Sequence, residues 1–231
     1  MELNELIVRI GQTYDRSLPM GSEAQSLLRQ AGSEFKQWLP AGYLATGSGG
    51  KGNAAVGPWI AVFDPDETTT AQRGMYVVYL FSADMRSVVL SLNQGVTDIG
   101  DRLGRPAARA ALKTEAAVIR SSLAADAIAD LITSIDLRSN ADLPVDYQHG
   151  NIVAISYMAL PTEQRMVADL KRFVRTYALA LEARAEGRQR GDDGIISATP
   201  HPRAPKGTTE FKPKSEDDYR QMLKMSAPAE N

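Results

Sequence analysis

Gly47, Gly49 and Gly52 fall in the spacing G-x-G-x-x-G, with Lys51 among them, inside the stretch YLATGSGGKGNAAVGPWIAVF of residues 43–63. Glycines beside a lysine suit phosphate binding, because bare backbone N–H groups and one mobile cation meet an anion together. A dinucleotide loop needs a strand leading in and a helix leading out, so that the pyrophosphate sits on the helix N-terminus. Here Gly57-Pro58 occupies the place of the first helical turns, and the β-rich Trp59–Phe63 follows. A Walker A loop requires Ser or Thr after the lysine, and Gly52 stands there instead. The nucleotide cradle is therefore set aside. Two readings remain: a flexible hairpin loop, and a loop that holds the backbone of a nucleic acid. In the second, Ser48, Gly49, Lys51 and Asn53 are the contacts and the ring of Trp59 receives a stacked base.

Catalytic constellations are sparse. DPDETTT (residues 64–70) has the acids of a PD-(D/E)xK nuclease, but Glu67 is followed by Thr68 and Thr69, without the lysine that the chemistry needs. Asp84, Asp98 and Asp101 have no lysine or histidine at a matching spacing, and there is no G-x-S-x-G elbow. The chain has no cysteine and only His149 and His201, which excludes disulfides, thiolate catalysis and an HNH-type centre. The expectation is a protein with no catalytic centre, no metal and no cofactor. Gln94, in Asn93-Gln94-Gly95, ends a β-rich run; its amide suits a base edge or a phosphate, and a plain turn serves equally. Arg102, Arg105 and Arg109 line one side of a predicted helix, either toward DNA or as an ordinary solvated face.

The elements that carry these residues follow from the hydrophobic pattern. Leu3, Leu6, Ile7 and Ile10 repeat at helical spacing, and Ser22 with Gln25 resembles a capping box opening a second helix through Phe35 and Trp38. From Tyr43 onward, strands are expected near 43–46, 57–63, 74–82 and 86–93, joined by short polar turns, so an antiparallel meander is favoured. Residues 97–129 are rich in helix formers. TSIDLRS and NIVAISYMAL read as later strands flanking the turn-rich NADLPVDYQHG. Pro161 opens a long helix whose Met166, Leu170, Phe173, Val174, Tyr177 and Leu181 face the sheet, and Gly187 ends it. The fold class is α+β: a mainly antiparallel, curved central sheet with helices around it over residues 1–187, then a Pro-, Gly- and charge-rich tail over 188–231.

Composition excludes little more. The chain of 231 residues is 43% hydrophobic and 23% charged, with a net charge of −2, so any polyanion site must be a local patch. No run approaches the ~18 apolar residues of a membrane span, and no signal-peptide pattern opens the chain. A cytoplasmic location is expected.

The order G-x-G-N, P-W-I-A-V-F, G-M-Y-V-V-Y-L-F and V-V-L-S-L-N-Q-G, from Gly50 to Gly95, resembles the N-terminal DNA-binding domain of McrB-type subunits of 5-methylcytosine-specific restriction enzymes. The flanking helices extend the likeness to about 170 residues. The resemblance implies a recognition module of a modification-dependent restriction system, the kind used in phage defence. It binds double-stranded DNA carrying a modified cytosine and rotates that base into a pocket, where its shape is sensed. Carried over by position, Trp59 and Tyr76 match pocket aromatics and Leu80 an apolar wall. Lys51 stands where the family carries an aromatic, which implies a more open pocket or a different modification. Cleavage falls to a nuclease or NTPase effector, toward which the tail acts as a linker. On the residues alone, Trp59, Tyr76 and Leu80 are equally core positions. The competing functional reading is a small-molecule or peptide-binding α+β domain; a third is a structural protein without a ligand.

Overall fold

The structure, a computed structural model, describes residues 1–189, with side chains through residue 186. The expected tail from 188 onward lies almost entirely outside the described residues. Its elements in chain order are α1 (Leu3–Thr13), α2 (Glu23–Glu34), β1 (Leu44–Ser48), β2 (Trp59–Phe63), β3 (Met75–Phe81), β4 (Val88–Gln94), α3 (Thr97–Leu103), α4 (Arg105–Ser122), α5 (Ala125–Ile128), α6 (Asp142–Gly150), β5 (Asn151–Tyr157) and α7 (Glu163–Gln189). A single 3-10 turn, Phe35–Gln37, extends α2. The class is α+β as expected, with an antiparallel sheet of 5 strands in sequence order, β1-β2-β3-β4-β5.

MYVVYLF and VVLSLNQ are buried at every position, because helices and loops cover both faces of the central strands. One face carries Ile60, Val62, Val77, Tyr79, Leu90 and Leu92, and it packs against α1, α2 and α7. Leu3, Leu6, Ile7 and Ile10 of α1 are each 0% exposed, as their spacing requires. In α7, Met166, Leu170, Phe173, Val174 and Tyr177 are buried, and each such side chain contributes ~1.5–3 kcal/mol. The opposite face carries Ala61, Phe63, Tyr76, Val78, Leu80 and Val89 beneath Leu112 of α4 and Tyr147 of α6.

Several expectations need correction. TSIDLRS adds no strand: the residue just before it, Ile132, makes an isolated bridge to Ala154, and Arg138 turns to φ 54°. Its alternation is still used, since Ile135 and Leu137 point inward as a plug on the second face. NADLPVDYQHG contains helix α6, which tolerates Pro144 because the first-turn N–H groups have no intrahelical partner anyway. The helical run from 97 breaks into three helices at Gly104 (φ 73°) and at the extended Leu123 and Ala124. Ser22 occupies the N-cap of α2 but makes no side-chain cap bond. Gln25 reaches instead for the Gly49 carbonyl. Helix α7 runs through Gly187 to Gln189 rather than ending there.

Candidate nucleic-acid interface

The glycine loop joins β1 to β2, and Ser48 pairs with Trp59 where the hairpin closes. A strand follows the loop, so it offers no helix N-terminus to a pyrophosphate. The loop is braced from below. The Gly49 carbonyl accepts from Ala55 N at 2.8 Å and from Gln25 Nε2 at 3.0 Å. The Tyr14 hydroxyl lies 2.7 Å from the Ala55 carbonyl and 3.1 Å from that of Gly49. Burial raises the pKa of this phenol, so it remains a neutral donor across the working range. Gly47 serves packing: a Cβ there would stand 2.3 Å from the Leu28 carbonyl, so its absence lets α2 lie against β1. The tip residues Lys51, Gly52 and Asn53 are exposed, and Ser48 Oγ accepts from Gly50 N at 3.2 Å.

The second face holds the aromatic candidates, and the register separates them. Trp59 pairs directly with Leu80 across β2 and β3, and Ala61 pairs with Val78 on the next same-face rung. Tyr76 lies four residues from Leu80, ~13 Å along the strand. It packs edge-on against Phe63 with ring centroids 5.6 Å apart. Six of the sequence-derived positions therefore cluster at one end of the sheet: Ser48, Gly49, Lys51, Asn53, Trp59 and Leu80. Tyr76 and Gln94 sit toward the other end, in contact with each other.

The burial of these residues differs as much as their position. Trp59 is half-buried, whereas Leu80 is 3% and Tyr76 1% exposed. The Tyr76 hydroxyl lies 3.1 Å from the Ala71 carbonyl and 3.3 Å from that of Gln94, and burial holds its pKa well above 10.0. The Gln94 amide points inward, donating to the Leu112 carbonyl at 3.0 Å and the Gly150 carbonyl at 3.2 Å. Its nitrogen supports the packing of α4 and α6 on the sheet and faces no solvent.

Charge at the Trp59 end is mixed, with several exposed cations. Arg16 acts on the Tyr14 hydroxyl beneath the loop, and Arg86 and Arg138 both act on Asp84 in the β3–β4 turn. Hydrogen bonds from the Ser82 hydroxyl and the Arg86 N–H, more than the two cations, lower the pKa of Asp84. Pro58 and Ala83 tie this turn to its neighbours, through Phe81 N to Pro58 O at 3.1 Å and Ala83 N to Leu137 O at 2.9 Å. Arg105 and Arg109 instead bind Asp142 and Asp146 of α6, at 2.6 Å for Arg105–Asp142 and for Arg109–Asp146. Arg102 is exposed on the last turn of α3.

Glu67 of DPDETTT pairs with Arg184 of α7 and accepts from Met75 N at 3.0 Å. Among the described residues no cluster of three His, Asp or Glu side chains could hold a metal. A cavity of about 190 Å³ opens on the first-face side, between α1, the β3–β4 turn and the end of β5. Its walls include Ile7, Val8, Met85, Tyr157 and Met158, and Trp59 is not among them. Among the described residues no helix is long and apolar enough to cross a membrane.

Sequence reasoning missed Tyr14 and Gln25 as supports of the loop. Gln25 was obscured by its capping-box spacing, and Tyr14 carried no signal beyond ending an apolar stripe. No protein with a curated description matches the chain. The model of one family, described as the MrcB-like N-terminal domain, matches residues 13–181. That match takes in the whole sheet, helices α2 to α6, most of α7 and the braced glycine loop, and begins at the last residue of α1. The chain accordingly belongs to the MrcB-like N-terminal domain family, whose members are restriction-related DNA-binding modules.

Proposed function

We propose that this chain recognises a modified cytosine in double-stranded DNA by rotating the base out of the helix onto the ring of Trp59. The observation that carries this reading is the half-buried Trp59 at the open end of the second face, beside the exposed Lys51 and Asn53. Unstacking a base costs a few kcal/mol, and stacking on an aromatic ring returns ~1–3 kcal/mol. The pocket must therefore add contacts to a modification before flipping becomes favourable. Leu80 forms the apolar wall beside Trp59, and Tyr76, packed on Phe63, forms the rigid floor farther in. Gln94 acts through Tyr76. Ser48, Lys51 and Asn53 hold the sugar–phosphate backbone of the flipped strand, and the buried Gly49 braces the loop beneath them. The module works without cofactor or catalytic centre of its own, inside the cell, with residues from 188 onward leading to a nuclease or NTPase effector.

Fluorescence anisotropy with matched duplexes tests this directly. The duplexes carry cytosine, 5-methylcytosine or 5-hydroxymethylcytosine at one position. The expected result is tighter binding to one modified duplex, with that preference lost in Trp59→Ala. Equal affinity for all three in the wild-type chain would sink the proposal.

A further inference from the structure

We infer that the uncovered margin of the sheet on β1 is the track for the bound DNA backbone, with Thr46 as a further contact; this rests on the DNA-binding role proposed above. The register places Leu44 opposite Phe63, Thr46 opposite Ala61 and Ser48 opposite Trp59, so all three β1 side chains share the face that carries Trp59. Farther into the sheet that face is covered, with Ala61 0% and Val78 1% exposed. On β1 it is open: Leu44 is 46% exposed, Thr46 is exposed and Ser48 is half-buried. The strand is held from its other side, where Gly32 of α2 comes so near the Ala45 carbonyl that a Cβ would lie 2.7 Å away. The margin is therefore a firm, open ledge leading straight to Trp59.

Its chemistry fits a nucleic-acid backbone better than a protein. LATGS contains no acid and presents two hydroxyls, Thr46 and Ser48, on one face. Their two-residue repeat is ~6.8 Å, comparable with the separation of neighbouring phosphates along a single strand. Lys51 and Arg16, both exposed, stand by the loop at the end of the ledge. Leu44 is the one large apolar side chain on it, too little surface to hold a protein partner by burial. A strand laid here would run from the Thr46 and Ser48 hydroxyls to the loop cations, with the rotated base reaching Trp59.

The test uses the full chain, the same cytosine and 5-methylcytosine duplexes (or the modified duplex found to be preferred), and the variants Thr46→Glu and Thr46→Val. A carboxylate on the ledge should weaken binding to both duplexes by roughly tenfold or more, because it opposes phosphate at close range. The isosteric valine removes one hydroxyl and should weaken both by about threefold. Neither variant should change the ratio between modified and unmodified DNA, nor the melting temperature of the free chain. Thr114→Glu, on the exposed side of α4, should bind as the wild type does. If Thr46→Glu binds DNA normally while Trp59→Ala loses discrimination, the ledge is wrong and the base reading stands. If the wild-type chain binds neither duplex, both fail. A wild-type dimer that Thr46→Glu dissociates, with DNA affinity unchanged, would assign the β1 margin to a second copy and overturn the inference.

Discussion

Gly50 sits at φ 108°, and a Cβ added there would lie 2.1 Å from the Asn53 carbonyl and 2.8 Å from Ala55 N. Gly52, at φ 74°, has nothing within 4 Å of that position. Gly50→Ala should therefore cost upward of ~2 kcal/mol and weaken DNA binding by deforming the loop, while Gly52→Ala costs ~1 kcal/mol from backbone strain alone. Urea unfolding and anisotropy of the two variants check the contrast; equal effects would mean that the loop is not braced as described. Tyr76→Phe removes a hydroxyl engaged with the Ala71 and Gln94 carbonyls and should cost ~1 kcal/mol of stability. The ring remains in place, so discrimination between duplexes should survive, which a binding comparison at matched folded fraction would reveal. At this scale the sequence was informative about residue type and less so about direction. Trp59 and Lys51 could be picked out by their kind and their place beside a turn. That Gln94 turns inward depends on the Leu112 and Gly150 carbonyls, brought to it by helices far along the chain.

The β2–β3 connection and the start of β3 are joined to α7 by the Glu67–Arg184 pair and by Tyr177 Oη donating to the Met75 carbonyl at 2.7 Å, while Glu67 also accepts from Met75 N. Glu67→Gln should destabilise the fold by ~2 kcal/mol, since a largely enclosed guanidinium loses its counter-charge. The urea midpoint should fall accordingly, and a midpoint unchanged from wild type would show the pair to be dispensable. The helices α1, α2 and α7 and strands β1 to β4 were legible because their apolar residues repeat at 3.6 or 2, or run continuously where both faces are covered. Helix α6 was not, because Pro144, Asp142 and Asp146 are turn formers in isolation. It exists because Tyr147 is buried on the sheet and Asp146 is bound by Arg105 and Arg109. The Ile135–Leu137 plug was misread for the converse reason: its alternation is that of a strand, but Arg138 turns away before a ladder can form.

Across the whole molecule, every described tyrosine has its pKa raised chiefly by burial. Tyr147 is pushed from its usual 10.0 to about 12. The folded chain keeps these phenols protonated where the unfolded chain has released the proton. Their contribution to stability is thus whole below pH 10 and is lost as the pH rises from 10.0 through about 12 for Tyr147. Circular dichroism and tyrosinate absorbance followed together should show unfolding and ionisation rising as one transition; separate transitions would contradict the buried phenols. With a net charge of only −2, DNA affinity must rest on local cations, and the proposed grip assigns one of them to Lys51. Lys51→Ala should lower the slope of log affinity against log salt by about 0.9, and an unchanged slope would remove Lys51 from the phosphate contacts. Base rotation onto Trp59 is the step on which the proposed recognition rests. It is tested most directly by placing the fluorescent base 2-aminopurine next to the modified cytosine and recording its emission as the chain is added. Emission should rise with the wild-type chain, as the neighbour leaves the stack, and stay flat with Trp59→Ala at saturating concentration. A modified duplex that binds tightly with no change in emission would contradict base rotation.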